Sequence, residues 1–568
     1  MACLFCLRSF QEFWFVKEAV SKTFDLSTFS FKPLFSQRTD RSRKMKLNID
    51  NTFTNELPAD EELNVFPRQV SDACFSFVKP RVPSEPKILH YSSEMTSAIG
   101  LSKEEAESED FTKIFSGTEV YQDTKPYAMC YGGHQFGNWA GQLGDGRAIN
   151  LFEVVKNNKR WALQLKGSGL TPYSRTADGL AVLRSSVREH LCSEAMFHLG
   201  VPTTRSLSLA LTGDQVLRDV QYNGNPAYEK GAVVCRLAPS FIRFGNFQIL
   251  TARQDRKNLR LLMNYTIRHF FPGITENTKE GYIQFFKKVS KDTLKMVMDW
   301  QRVGFVHGVM NTDNMSILGL TIDFGPYGWL EGYDKNWTPN TTDSQHRRYR
   351  FGQQPNVALW NLAQLGSALN LIVDDVPALE NILNEYQDSF TLAYQKMMRD
   401  KLGFNTEEDT DELLFQELEK TLHLTETDMT IFYRNLANFK KDETLAANST
   451  ALDFIKDSFY SPEELKDETL QGWLNWLKSY QTRLLKEDTS DEARKAKMNA
   501  VNPKYVLRNY MSQLAIDAAD NGDYSLISEL HELLKKPYEN QPENEKWFAK
   551  RPEWARNKVG CSMLSCSS

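Results

Sequence analysis

Apolar and polar positions alternate along Trp161-Ala162-Leu163-Gln164-Leu165, and a period of two predicts a half-buried strand. Similar short runs bounded by Gly and Asp fill residues 52–250, among them Ile149 to Val155 and Ala232 to Cys235. One stretch keeps another rhythm. Leu183, Val187, Leu191 and Ala195 recur every four residues, with Leu180 three before the first, which predicts an amphipathic helix stopped by Gly200 and Pro202. Beyond Leu250 the pattern predicts helices over Asn258 to Phe271, Tyr282 to Val303, Val357 to Ile372 and Ala378 to Leu402. Acidic helical segments with Trp473 and Trp476 follow over residues 405–489, then one or two closing helices from Pro503 to Leu534 and an irregular end from Pro537. A sheet-rich half before a helical half predicts an α+β fold of two lobes around a cleft. The expected divisions are a leader (1–50), a sheet-rich lobe (51–250), a helical lobe (251–500), and closing helices with a tail (501–568).

The chain has 568 residues, 41% of them hydrophobic, with 30 Gly and 21 Pro scattered through it, which excludes collagen, coiled coil and bulk disorder. A formal net charge of −5 gives no global field for nucleic acid or an anionic membrane, and no apolar run reaches the roughly 18 to 20 residues that span a bilayer. The expected state is a monomer without nucleic-acid or membrane partners. Eight cysteines, at positions 2, 6, 74, 130, 192, 235, 561 and 566, are too sparse for a disulfide framework and stand apart from His at zinc-ligand spacing. The first 46 residues hold nine Lys or Arg against four Asp or Glu, interleaved with Phe, Leu, Ser and Thr. That bias matches a mitochondrial transit peptide, and a leader with no address is the alternative.

Three stretches carry candidate chemistry. Gly141 to Ala148 contains Gly144-Asp145-Gly146-Arg147, where glycines let backbone N–H groups approach phosphate, although a hairpin turn uses the same triplet. Lys166 ends the strand Trp161 to Leu165 and needs a partner if buried; Glu189, on the following helix, is the candidate, and the pair is the device by which kinase-type folds hold a lysine against phosphates. A surface lysine is the plainer reading. His307 and Asn314 fit the His and the metal-binding Asn of the kinase catalytic-loop pattern, with Val309 where that pattern has its Asp, and Asp323-Phe324-Gly325 follows. An Asn and an Asp from adjacent loops offer hard oxygen ligands to Mg²⁺. Arg236 and Arg243, flanked by apolar and aromatic residues, call for carboxylates or a phosphate.

With these strings in place, the chain resembles the selenoprotein O family of kinase-fold proteins that transfer AMP rather than phosphate. The likeness runs from about Phe66 to the C-terminus and rests on Tyr131 to Gly137, Gly141 to Ala148, Leu165 to Arg175, Asp178-Gly179, Val306 to Asn314 and Leu318 to Gly325. It implies a protein-kinase-like bilobal fold, an atypical pseudokinase, binding ATP flipped with Mg²⁺ or Mn²⁺, and moving AMP to Ser, Thr or Tyr hydroxyls of proteins with release of pyrophosphate. By the same resemblance Gly144, Gly146 and Arg147 form the nucleotide loop, Lys166, Arg236 and Arg243 hold the outer phosphates, and Asp178 and Gly179 also touch the nucleotide. Glu189 pairs the lysine, Asn314 and Asp323 are the metal ligands, and Asp313 is the general base. In selenocysteine-containing members the rare residue lies third from the end, where this chain has Cys566, so a redox tail with Cys561 is expected. The rival readings are an ordinary phosphotransferase and a silent nucleotide-binding redox scaffold.

Overall fold

The computed structural model describes residues 45–220 and 222–565. Among the described residues twelve strands lie in chain order: β1 (Phe75–Phe77), β2 (Lys87–Tyr91), β3 (Tyr127–Met129), β4 (Gly132–Gln135), β5 (Asn138–Gln142), β6 (Ala148–Lys156), β7 (Lys159–Lys166), β8 (Ala181–Val182), β9 (Arg205–Arg218), β10 (Ala227–Ala238), β11 (Phe305–Val306) and β12 (Gly328–Trp329). The main sheet is antiparallel and runs β1-β3-β6-β7-β10-β9-β2, with β8 on β10; β4–β5 is a separate hairpin and β11–β12 a small ribbon. The sheet-rich part also holds helices α1 (Thr52–Glu56), α2 (Ser93–Ile99), α3 (Lys103–Ala106), α4 (Glu109–Ser116), α5 (Leu183–His198) and α6 (Phe244–Ala252).

The period of two in β7 sorts its side chains cleanly. Leu163 and Leu165 face a core with Phe111, Phe115, Leu207 and Val233, while Ala162 joins the opposite core with Val187, Leu191 and Val234 of α5 and β10. The expectation of a half-buried strand is therefore corrected. Both faces are covered, because the short helices α2 to α4, which the pattern did not predict, cap the outer face. The alternation also sends Gln164 and Lys166 to the α5 side, and Arg236 of β10, paired with Gln164, joins them there.

The helical part contains α7 (Arg256–Phe270), α8 (Lys279–Val303), α9 (Gln354–Val373), α10 (Val376–Leu402), α11 (Asp411–Thr421), α12 (Met429–Leu436), α13 (Asp467–Leu484), α14 (Asp491–Val501), α15 (Asn509–Asp520) and α16 (Ser525–Leu534). The predicted helices are found with ends shifted by a few residues. Local signals set those ends: Thr278 accepts from the Gly281 amide to start α8, and Gly304 at φ 75° stops it. Directly after that stop β11 leads into the loop carrying His307 and Asp313. The closing helices α15 and α16 pack on α5, whose Arg188 reaches the Tyr327 carbonyl at 2.8 Å and Asn509 at 3.5 Å. No helix among the described residues is long and apolar enough to cross a membrane.

The end of the chain is irregular, as expected, yet anchored. The Leu564 amide donates to the Pro339 carbonyl at 3.0 Å and its carbonyl accepts from Thr341 N at 2.7 Å, so the tail runs beside residues 339–341. Cys561, the expected local partner of Cys566, is buried, and burial pushes its thiol up to about 11. Cys566 and the leader up to residue 44 lie outside the described residues.

Candidate active site

Lys166 at the end of β7 and Glu189 on α5 meet at 2.5 Å, both buried, so the lysine is not a surface residue. Arg236 Nη1 bridges Glu189 Oε1 at 2.8 Å and Asp323 Oδ1 at 2.7 Å, and Arg243 Nη1 reaches Asp323 Oδ2 at 2.5 Å and the Asp313 carbonyl at 2.9 Å. Lys166 Nζ lies 3.9 Å from Asp323. Lys166, Arg236 and Arg243, spread over 78 positions of sequence, thus converge on the Asp323 carboxylate, with Glu189 behind the first two. Burial alone would raise the pKa of Asp323, but Arg243, Arg236 and Lys166 hold it well below the usual carboxylate range. Burial drives Lys166 down, against the pull of Glu189.

Asp323 itself stands at φ 58°, a left-handed backbone that costs about 1 to 3 kcal/mol in a non-glycine residue and here turns its carboxylate to the arginines. His307 fixes the loop from behind: its Nε2 donates to the Ile322 carbonyl at 2.9 Å, while its Nδ1 accepts from the Val309 amide at 3.3 Å. One imidazole therefore ties the Asp313 loop to the Asp323 loop. Asn314 ends the short 3₁₀ turn Thr312–Asn314 and donates its amide to the Val309 carbonyl at 2.9 Å, and among the described residues no donor reaches its Oδ1.

Asp313 is buried, and burial raises it to about 6, opposed by a hydrogen bond from Gln135 at 3.2 Å and by the Arg243 charge. Three buried polar atoms in this region lack hydrogen-bond partners: Asp313 Oδ1, and Asp145 Oδ1 and Arg243 Nη2, which face each other at 4.0 Å. Unspent carboxylate oxygens beside a guanidinium, with a free amide oxygen on Asn314, suit a divalent cation with a phosphate chain. Asn314 and Asp323 have the hard donors that Mg²⁺ or Mn²⁺ takes. Among the described residues one trio of metal-type side chains, Glu94, Glu194 and His198, lies within 4.8 Å, but Arg205 already pairs its carboxylates at 2.9 and 2.8 Å.

The nucleotide-loop residues are distributed less tightly. Arg147 shares a small cleft with Lys166, Glu189 and Phe324. Gly144 (φ 115°) and Gly146 are required by packing: a Cβ on Gly144 would meet the Tyr173 ring at 2.4 Å, and one on Gly146 the Tyr173 carbonyl at 2.9 Å. Asp178 pairs with Arg218 at 2.8 Å and, like Gly179 (φ 73°) beside the Gly169 carbonyl, makes no bond to the Asp323 cluster.

Two contributors escaped the sequence reading. Asp145 sits between the two glycines that drew attention; it accepts from Met129 N and Asn150 at 3.0 Å each and lies 4.0 Å from Arg243. Its buried position raises it. The β4–β5 hairpin, noticed only as a string, lies over the Asp313 loop: His134 N donates to Thr312 at 2.7 Å, Phe136 N to Asn311 at 3.1 Å, and a Cβ on Gly133 would meet Asp313 Oδ1 at 2.7 Å.

A family model described as "Protein adenylyltransferase SelO" matches residues 62–535. Curated relatives named "Protein nucleotidyltransferase YdiU" include those of Flavobacterium johnsoniae, 62% identical, Rhodopirellula baltica, 54%, and Aromatoleum aromaticum, 50%, each match covering 92% of this chain and 99% of the relative. The converging lysine, arginines and carboxylates thus sit in a chain that is similar to these proteins from end to end of the relatives, and it belongs to the protein adenylyltransferase SelO family.

Proposed function

We propose that the protein transfers AMP from ATP to Ser, Thr or Tyr hydroxyls of other proteins, in a kinase-like two-lobed cleft that takes ATP in the flipped orientation. The observation that carries this reading is the convergence of Lys166, Arg236 and Arg243 on Asp323, one loop away from the buried Asp313. Asn314 and Asp323 would hold Mg²⁺ or Mn²⁺, which neutralises phosphate charge when bound. The hydroxyl oxygen attacks the α-phosphorus, its proton passes to Asp313 Oδ1, the bond from the α-phosphorus to the bridging oxygen breaks, and pyrophosphate leaves. Arg236, Arg243 and Lys166 turn from the carboxylate to the departing phosphates and stabilise their growing charge. Val309 fits the same reading, because the usual phosphotransfer base is absent at that place while Asp313 is raised toward neutrality.

ATP labelled separately at the α and γ positions tests it, with Mg²⁺ and Mn²⁺ in parallel. The expected result is α-label on protein, a mass gain equal to AMP, and release of pyrophosphate. Transfer of γ-label alone would favour an ordinary phosphotransferase, and bound but untransferred ATP a silent scaffold. The basic leader further supports import into mitochondria. A fluorescent protein fused behind residues 1–46 and left in the cytosol would overturn that part.

A further inference from the structure

The helical part contains a second pocket whose chemistry is unlike that of the active site. It has a volume of about 270 Å³ and lies between α8, the start of α9, α10, α11, α12 and the chain following β12. Pro355, Phe351, Phe390, Met397 and Met429 give it apolar walls. Phe390 and Tyr394 are partly exposed, whereas Lys401 is only 2% exposed, so the pocket opens at the aromatic end and closes on the lysine.

Lys401 is the anomaly. Its Nζ donates to the Arg302 carbonyl at 2.8 Å and stands 3.9 Å from the centre of the Tyr433 ring. Among the described residues no carboxylate lies within 4.0 Å of it. The pocket's own acid, Glu419, is already held by Lys335 at 2.5 Å and by the Tyr394 hydroxyl at 2.6 Å. The lining therefore carries two lysine amines against one carboxylate, and the buried amine has no acid beside it. Burial first, and then the Arg302 charge, drives Lys401 well below its ordinary range. An ammonium stem that serves only packing is normally led out to water. Here it is enclosed, with one of its three donors bound to a carbonyl.

We propose that this pocket binds a small aliphatic monocarboxylate, its chain of about eight carbons along the Phe351, Phe390 and Met397 walls and its carboxylate on Lys401. The size follows from the volume: 270 Å³ holds about nine groups at the roughly 30 Å³ that a water takes in the liquid. The sign follows from the missing counter-ion. Because Tyr333, Lys335 and Phe351 belong to the stretch between the Asp323 loop and α9, an occupant touches the segment that follows the metal loop.

Calorimetric titration of the full-length protein with sodium octanoate tests the assignment. Saturable one-to-one binding is expected. Octanol, which has the tail without the charge, and the Lys401→Met variant should each bind at least about ten-fold more weakly. Met397→Trp, which fills the apolar end and leaves Lys401 in place, should abolish binding and decides the matter if Lys401→Met does not fold. No saturation by octanoate, equal affinity for octanol, or unchanged binding by Met397→Trp would overturn the proposal.

Discussion

In the proposed reaction Asp313 accepts a proton only when ionised, and burial holds it up at about 6, so the rate of transfer should be low below that pH and climb through it. Asp313→Asn should lower kcat by about 10²- to 10⁴-fold and leave the KM for ATP nearly unchanged, as initial rates would show. Gln135 donates to Asp313 and pulls it down, so Gln135→Leu should move the rising limb of the pH profile to higher pH. A merely structural glutamine would lower the whole curve without shifting it. At Asp323, removal of the carboxylate leaves Arg236, Arg243 and Lys166 facing one another. Asp323→Ala should therefore cost about 3 to 5 kcal/mol in denaturant unfolding and abolish metal-dependent nucleotide binding, both at once. These residues were legible because each belongs to a short string with a chemical reason: a lysine ending a strand, a glutamate one helix on, Asp-Phe-Gly after a buried loop. Asp145 was not, since its importance rests on Arg243, Asn150 and Gln164 arriving from elsewhere in the chain.

The same contrast holds for elements. Long helices such as α8 and α10 announce themselves by period and by capping residues, and strands such as β6, β7 and β10 by short apolar or alternating runs. The helices α2 to α4 did not, because four to eight residues hold too little periodicity, and missing them made β7 look half-buried. The β4–β5 hairpin is the clearest case of a role that no local pattern discloses. Its work is to lie on the Asp313 loop, and Gly133 allows the close approach. Gly133→Ala would place a methyl 2.7 Å from Asp313 Oδ1 and 2.9 Å from its Cβ, so either the hairpin or Asp313 must move. The expected outcome is a fall in kcat of about 100-fold with ATP binding retained, measured by steady-state kinetics beside equilibrium nucleotide binding.

At the scale of the molecule, the sheet-rich and helical parts are closed by the last helices. Arg508 on the approach to α15 holds the fully buried Asp428 at 2.7 and 2.9 Å, Arg188 of α5 reaches Asn509, and His531 of α16 stacks near His190 of α5. A chain ended at Val501 should therefore lose its cooperative thermal transition and expose apolar surface to a fluorescent dye, although every residue around Asp323 would still be present. That the final helices finish the α5 face bears on how the protein is made. Arg188 and Asn509 are 321 residues apart, and a ribosome adding roughly 5 to 20 residues per second needs about 16 to 64 seconds between them. For that interval the nascent sheet carries a helix whose outer face lacks the α15 and α16 cover, and the growing polypeptide is a natural client for a chaperone until they emerge.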